Sequence, residues 1–141
     1  MFDTDTADGG STDKFELVKS YISDLGYLIS HEDAAEELVV IQDEDAGIKN
    51  LVVDCESPIV ILEQMILEVP ANPGNLYLRL LQMNRTLVHG AFVIDEDARH
   101  VIFRDTLQLA NIDLNEIEGS LSALSLALVE HGEELLGFAR S

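Results

Sequence analysis

The sequence predicts an α+β domain. It reads as an N-terminal helix, an antiparallel sheet of about five strands, a middle helix, a β-hairpin and a C-terminal helix packed on the sheet. Three observations carry this reading. Apolar residues recur at helical spacing in three separate stretches, entered near Phe15, Leu76 and Leu114. Short β-branched runs, divided by acidic or proline turns, fill the interval between the first two. Two more such runs, 91–94 and 100–106, surround the turn at 95–99 before the third. A chain of 141 residues fits one domain. We expect a disordered acidic tail over residues 1–12 and a single domain over 13–141.

The tail carries Asp3, Asp5, Asp8 and the pair Gly9-Gly10, with little to bury. It superficially resembles a calcium loop. The pattern fails because the sixth position from Asp3 is Asp8 rather than glycine, and the twelfth is Lys14 rather than glutamate. Asp13 followed by Glu16 is a capping-box pair. Phe15, Val18, Ile22 and Leu25 then mark a helix over about 12–25, stopped by Gly26. Residues 27–29 read as a short first strand and 31–37 as an acidic loop or edge. Residues 38–42 form a strand, 43–47 a turn and 48–56 the returning strand. Leu51, Val53 and Cys55 share one face of that strand; Val52, Asp54 and Glu56 share the other.

Ser57-Pro58 turns the chain into the longest strand, 59–69. Ile59, Ile61, Met65 and Leu67 point one way; Val60, Leu62 and Ile66 point the other. A sheet with one wet face would alternate apolar with polar. The second apolar face must therefore be covered by another element, a second subunit or a partner. Val60, Leu62 and Ile66 are the candidate partner-binding surface.

Residues 70–74 break the strand, with Asn72 as helix cap and Pro73 at the first helical position. A middle helix is expected to run to about Val88 and stop at Gly90. Its stripe of Leu76, Leu80, Met83 and Leu87 is the candidate self-association surface. All seven of these candidates suit the core of a monomer equally well. The hairpin segments 40–48 and 93–101 echo each other, which turn chemistry alone explains. Asp113 with Glu116 caps the last helix, and its wide apolar surface over 121–129 predicts burial on more than one side.

The chain holds 27 acidic and 8 basic residues, a net charge of −19. Its Lys and Arg residues are scattered singly, which excludes a nucleic-acid backbone as partner and disfavours anionic membranes. The acidic surface suits solubility or a basic partner. No phosphate loop, nucleophile elbow or CxxC pair is present, and His31-Glu32 lacks the second histidine of a zinc-protease motif. His89 suits a helix C-terminus, and His131 lies on the last helix without ligand spacing. No catalytic residue, metal ligand or cofactor is expected. The single Cys55 cannot form an internal disulfide, and the flanking Asp54 and Glu56 disfavour its thiolate. The first 20 residues do not form a signal peptide, and no segment is long and apolar enough to cross a membrane, so a cytoplasmic protein is expected.

The segments LLQMN at 80–84, GAFVID at 90–95, HVIFRDTLQLANIDLNEIEGSLSAL at 100–124 and HGEELL at 131–136 carry a resemblance. In them and in element order, the chain resembles the type III secretion chaperone fold, the Tir-chaperone (CesT-like) group, and above all its YbjN-type relatives. The likeness is specific over residues 76–136 and architectural over 13–70. It implies a small acidic cytoplasmic α+β protein without enzymatic activity, often a homodimer. A chaperone of this group would hold a segment of a partner protein on its sheet and helix surfaces. The alternative is a regulatory or stress-response protein that binds one folded partner.

Overall fold

A computed structural model describes residues 4–141, with side chains from Lys14 onward. Helix α1 (Thr4–Asp24) leads into strands β1 (Leu28–Asp33), β2 (Leu38–Asp43), β3 (Ile48–Glu56) and β4 (Ile59–Glu68). Helix α2 (Leu76–Met83) precedes β5 (Ala91–Ile94) and β6 (His100–Gln108), and α3 (Leu114–Ala139) closes the chain. The strands form one antiparallel sheet of six in the order β1-β2-β3-β4-β6-β5. This is the α+β architecture expected, with a slightly higher strand count. The backbone of α1 begins at Thr4, ahead of the start expected at residue 12. The side chains of the expected acidic tail lie outside the described residues.

All three helices lie over one face of the sheet and share one core with it. Val18 and Ile22 of α1, Leu76 and Met83 of α2, and Leu121 and Leu124 of α3 are buried together with Ile41, Leu51, Leu62 and Phe103 of the strands. Cys55 is buried on this face, as its alternation predicts.

Local chemistry explains where the elements depart from expectation. The first strand is longer than residues 27–29, because a bulge between Ile29 and His31 lets the acidic residues continue along an edge strand. Helix α2 starts later than Asn72 allows. Gly74 holds φ +58°, a left-handed conformation that a helix cannot include. The same helix ends at Met83, well before Val88, and passes into a 3-10 turn over Asn84–Thr86. Gly90 is the entry to β5 rather than the helix stop. Its φ is +74°, and a Cβ there would fall 2.6 Å from Cζ of Phe103. At the far end, Asp113 caps α3 as expected, accepting from Glu116 N–H at 2.8 Å.

Candidate protein-binding surfaces

The longest strand decides which sheet face is open. Val53 pairs with Leu62, and Leu62 with Asp105, in one cross-strand row on the covered side. Val60 and Leu62 are fully buried there beneath the helices. Their assignment to an open partner-binding face is therefore corrected: they are core. Ile59, Ile61, Glu63 and Met65 face away from the helices, and Met65 is 55% exposed. A bulge between Met65 and Leu67 then reverses the alternation, so that Leu67 turns into the core. Ile66 is half-buried and lines a small apolar cavity of about 210 Å³ with Leu128, Gly132 and Leu136 of α3. Parity separated Val60 and Leu62 from Ile59, Ile61 and Met65, but it misplaced Leu67, which lies beyond the bulge, and did not say which set was covered. Glu63, which belongs with Ile61 and Met65, was the available signal.

The open face has its own order. Leu38, Asp54, Ile61 and Thr106 form one row across four strands. Val40, Val52, Glu63, Arg104 and Ala91 form the next, and Met65, Ile102 and Val93 a third. Apart from the exposed Met65, the apolar members are half-buried by their neighbours rather than covered by a helix. Glu63 and Arg104 pair directly across the middle of the face.

Asp54 sits in this apolar setting without a cation. Its Oδ1 is buried and lacks a hydrogen-bond partner. Burial, reinforced by the carboxylates of Glu56, Glu36 and Glu63, pushes its carboxyl up to about 6. On the other face, burial and then Glu37 and Asp54 push the Cys55 thiol up to about 12, which removes it as a nucleophile.

A second surface lies at the β5 end. Leu76, Leu80 and Met83, expected at a self-association interface, are buried in the monomer, and Leu87 packs half-buried against them. The outer side of α2 instead presents Tyr77, Leu78 and Leu81, the last 69% exposed, with Val88 beyond the helix. Tyr77, Leu81 and Asn84 face Phe92, Val93 and Ile94 across a largely apolar groove of about 410 Å³. No Asp or Glu occurs anywhere between Glu68 and Asp95, although the whole chain carries 27.

Helix α2 and the turn that follows it are fixed to α3 by two polar contacts. The Arg79 guanidinium grips Glu134 through two hydrogen bonds, Nε to Oε2 at 2.6 Å and Nη2 to Oε1 at 2.8 Å. This pairing holds the Glu134 carboxyl below its usual range. Thr86 Oγ1 donates to Met83 O, which leaves it to accept from Nε2 of His131 at 3.0 Å. His131 is thus a tether between elements. The His89 ring lies against Gly119 of α3, since a Cβ there would fall 3.0 Å from Nε2.

Among the described residues, no group of three His, Cys, Asp or Glu side chains is placed to hold a metal ion. No described helix is long and apolar enough to cross a membrane.

A family model described as CesT_Tir_1 matches residues 11–141. No curated protein matches the sequence. Among solved structures, the chain is similar to YbjN from E. coli, described as a putative transcription regulator, at 13% identity and a TM-score of 0.65. That likeness covers 84% of this chain and 91% of YbjN. The HopA1-SchA chaperone-effector complex contains a chain of similar fold at 10% identity and TM-score 0.60, covering 93% and 97% of the two chains. The type III secretion chaperone SycH from Yersinia pestis, solved with a fragment of YscM2, matches at 12% identity and TM-score 0.50, covering 89% and 98%. At these identities the likeness is one of fold.

Proposed function

The chain belongs to the CesT_Tir_1 family, and from that premise we propose that it is a non-enzymatic, chaperone-like protein-binding module. It holds a segment of a partner protein on the open face of its sheet. One observation carries this reading: a largely apolar sheet face, with Ile61, Met65, Ile102 and Val93 around the Glu63–Arg104 pair, lies opposite the helices in a chain of net charge −19. A chain this acidic has no lack of polar side chains to place there. Apolar surface kept open in that way marks an interaction site. Two of the solved structures that share the fold are complexes of a chaperone with another protein.

The partner segment lies extended over the apolar rows, its alternate side chains reaching the sheet, and strand addition along β1 supplies main-chain hydrogen bonds. Basic side chains in the segment suit the uncompensated Asp54 and the acidic residues around it. The protein works in the cytoplasm as a homodimer, its two copies meeting through the acid-free flank of α2 and β5. The alternative, a regulator that binds one folded partner, draws on the YbjN likeness alone.

The test is recovery of the tagged protein from its native cells at moderate salt, with Met65→Asp and Ile102→Asp variants alongside. The expected outcome is one stoichiometric, unrelated protein with the wild type, and its loss with both variants while their melting temperatures stay near wild type. A partner retained by folded variants would move the binding surface elsewhere. Leu62→Asp serves as the contrasting control and should unfold the domain, because Leu62 is fully buried.

A further inference from the structure

The side of the sheet that ends in β5 has unpaired main chain, yet side chains already occupy it. Asn84, at the start of the turn after α2, uses both ends of its carboxamide on one residue. Its Oδ1 accepts from Phe92 N–H at 2.7 Å, and its Nδ2 donates to Phe92 C=O at 3.1 Å. These two main-chain groups point away from β6, because an antiparallel strand bonds its neighbour through alternate residues. They are the groups an incoming strand would use.

The same alternation assigns a second cap. Phe92 stands opposite Phe103, so Phe103 directs its main chain to β4, and Arg104 directs its own to Ala91 of β5. Two residues on, Thr106 N–H faces the same side, beyond the point where β5 begins. It donates to Oδ1 of Asp105 at 2.8 Å. Two side chains from different elements thus occupy main-chain groups on both stretches of this edge.

We infer that Asn84 and Asp105 are edge locks that bar strand addition on the β5 side of the sheet. The partner excluded there is an extended strand, whether from a second copy or from another protein. A second copy, which the proposed function seats on this flank, then packs by side chains into the groove between α2 and β5, whose apolar walls stand beside the locked main chain. An exposed apolar strand of this kind is otherwise a template for edge-to-edge association, and β5 with its sequence Ala-Phe-Val-Ile carries no charge of its own. The inference is independent of whether the open sheet face binds a partner segment.

Residue-resolved amide exchange on the wild-type protein tests the lock directly. Phe92 and Thr106 are expected to be protected although they lie at an edge, and Ile94, next in register on the same side, to exchange faster. Equal rates at Phe92 and Ile94 would overturn the inference. In Asn84→Ala, the Phe92 amide should exchange about fivefold faster while Phe103 keeps its protection, since one hydrogen bond of about 1 kcal/mol is lost. Higher assemblies should appear in light scattering at concentrations where the wild type shows none. A lysine on the unlocked strand, in Asn84→Ala/Val93→Lys, should remove those higher assemblies. An Asn84→Ala protein that folds, with Phe92 exchange and assembly unchanged, overturns the proposal. If that variant fails to fold, the wild-type comparison of Phe92 with Ile94 decides alone.

Discussion

Asp54 shows how a single side chain can set the fold against the surface it occupies. Its carboxyl is raised to about 6 by burial first and by neighbouring carboxylates second. In the unfolded chain the same group titrates near the ordinary aspartate value, roughly 3.9. Between those two values the folded state binds more protons than the unfolded state, so this group's contribution to stability rises as pH falls from 7 toward 4. Above pH 6 the penalty of the buried, ionised carboxylate is fully present. Asp54→Asn should therefore raise stability at pH 7 by about 1–2 kcal/mol and flatten the gain between pH 7 and 4. Urea denaturation of both proteins at pH 4.5 and 7 (roughly either side of the shifted value) measures it. A variant no more stable than wild type at pH 7 would show that water or Arg104 already compensates the charge. Gln64 is the opposite case. It is a buried polar side chain whose two ends are both used, Nε2 donating to Gly47 C=O and Oε1 accepting from Lys49 N–H, each at 3.0 Å. It belongs to the β2–β3 turn as much as to β4.

The elements were legible in the sequence in proportion to how local their causes are. The start and the buried stripe of helix α3 were readable, since its cap at Asp113 and its apolar spacing lie within the segment itself. Asp113→Ala removes the acceptor for Glu116 N–H and should cost about 0.5–2 kcal/mol, read as a lower denaturation midpoint with unchanged m-value. A loss well below that range would mean that packing alone fixes the start of the helix. Helix α2 was readable in its buried stripe but not in its length. Its end is set by Asn84 reaching across to β5, a contact eight residues away along the chain. The apolar breadth of α3 over 121–129 was read as burial on more than one side. In the structure Leu121 and Leu124 are buried, but Leu126 and Val129 stay exposed, Val129 at 85%. The open face of β4 failed for a related reason. An apolar strand side looks the same in sequence whether a helix covers it or not, and only its register with β3 and β6 separates the cases. The edge locks were not legible at all, because Asn84 reads as an ordinary helix-terminal residue until its partner strand is placed beside it.

At the scale of the whole molecule, charge distribution sorts the surfaces by what can approach them. Two copies of a chain of net charge −19 repel each other at any distance within the screening length. The flank between Glu68 and Asp95, free of Asp and Glu and bearing Tyr77, Leu78 and Leu81, is where a second copy meets least repulsion. The sheet face near Asp54, Glu56 and Glu36 has the opposite character and favours a cation. The two proposed associations should therefore respond to salt with opposite signs. Raising ionic strength from about 0.02 to 0.3 M shortens the Debye length from roughly 20 Å to 6 Å. Self-association, followed by sedimentation equilibrium, should tighten over that range as repulsion between copies is screened. Capture of a basic, apolar partner segment, followed by fluorescence anisotropy, should weaken over the same range as attraction is screened. Leu81→Asp should abolish the first and leave the second, because Leu81 lies on the flank and not on the open sheet face. Self-association that weakens with salt would mean that the copies meet through ion pairs, and the acid-free flank would then not be their interface.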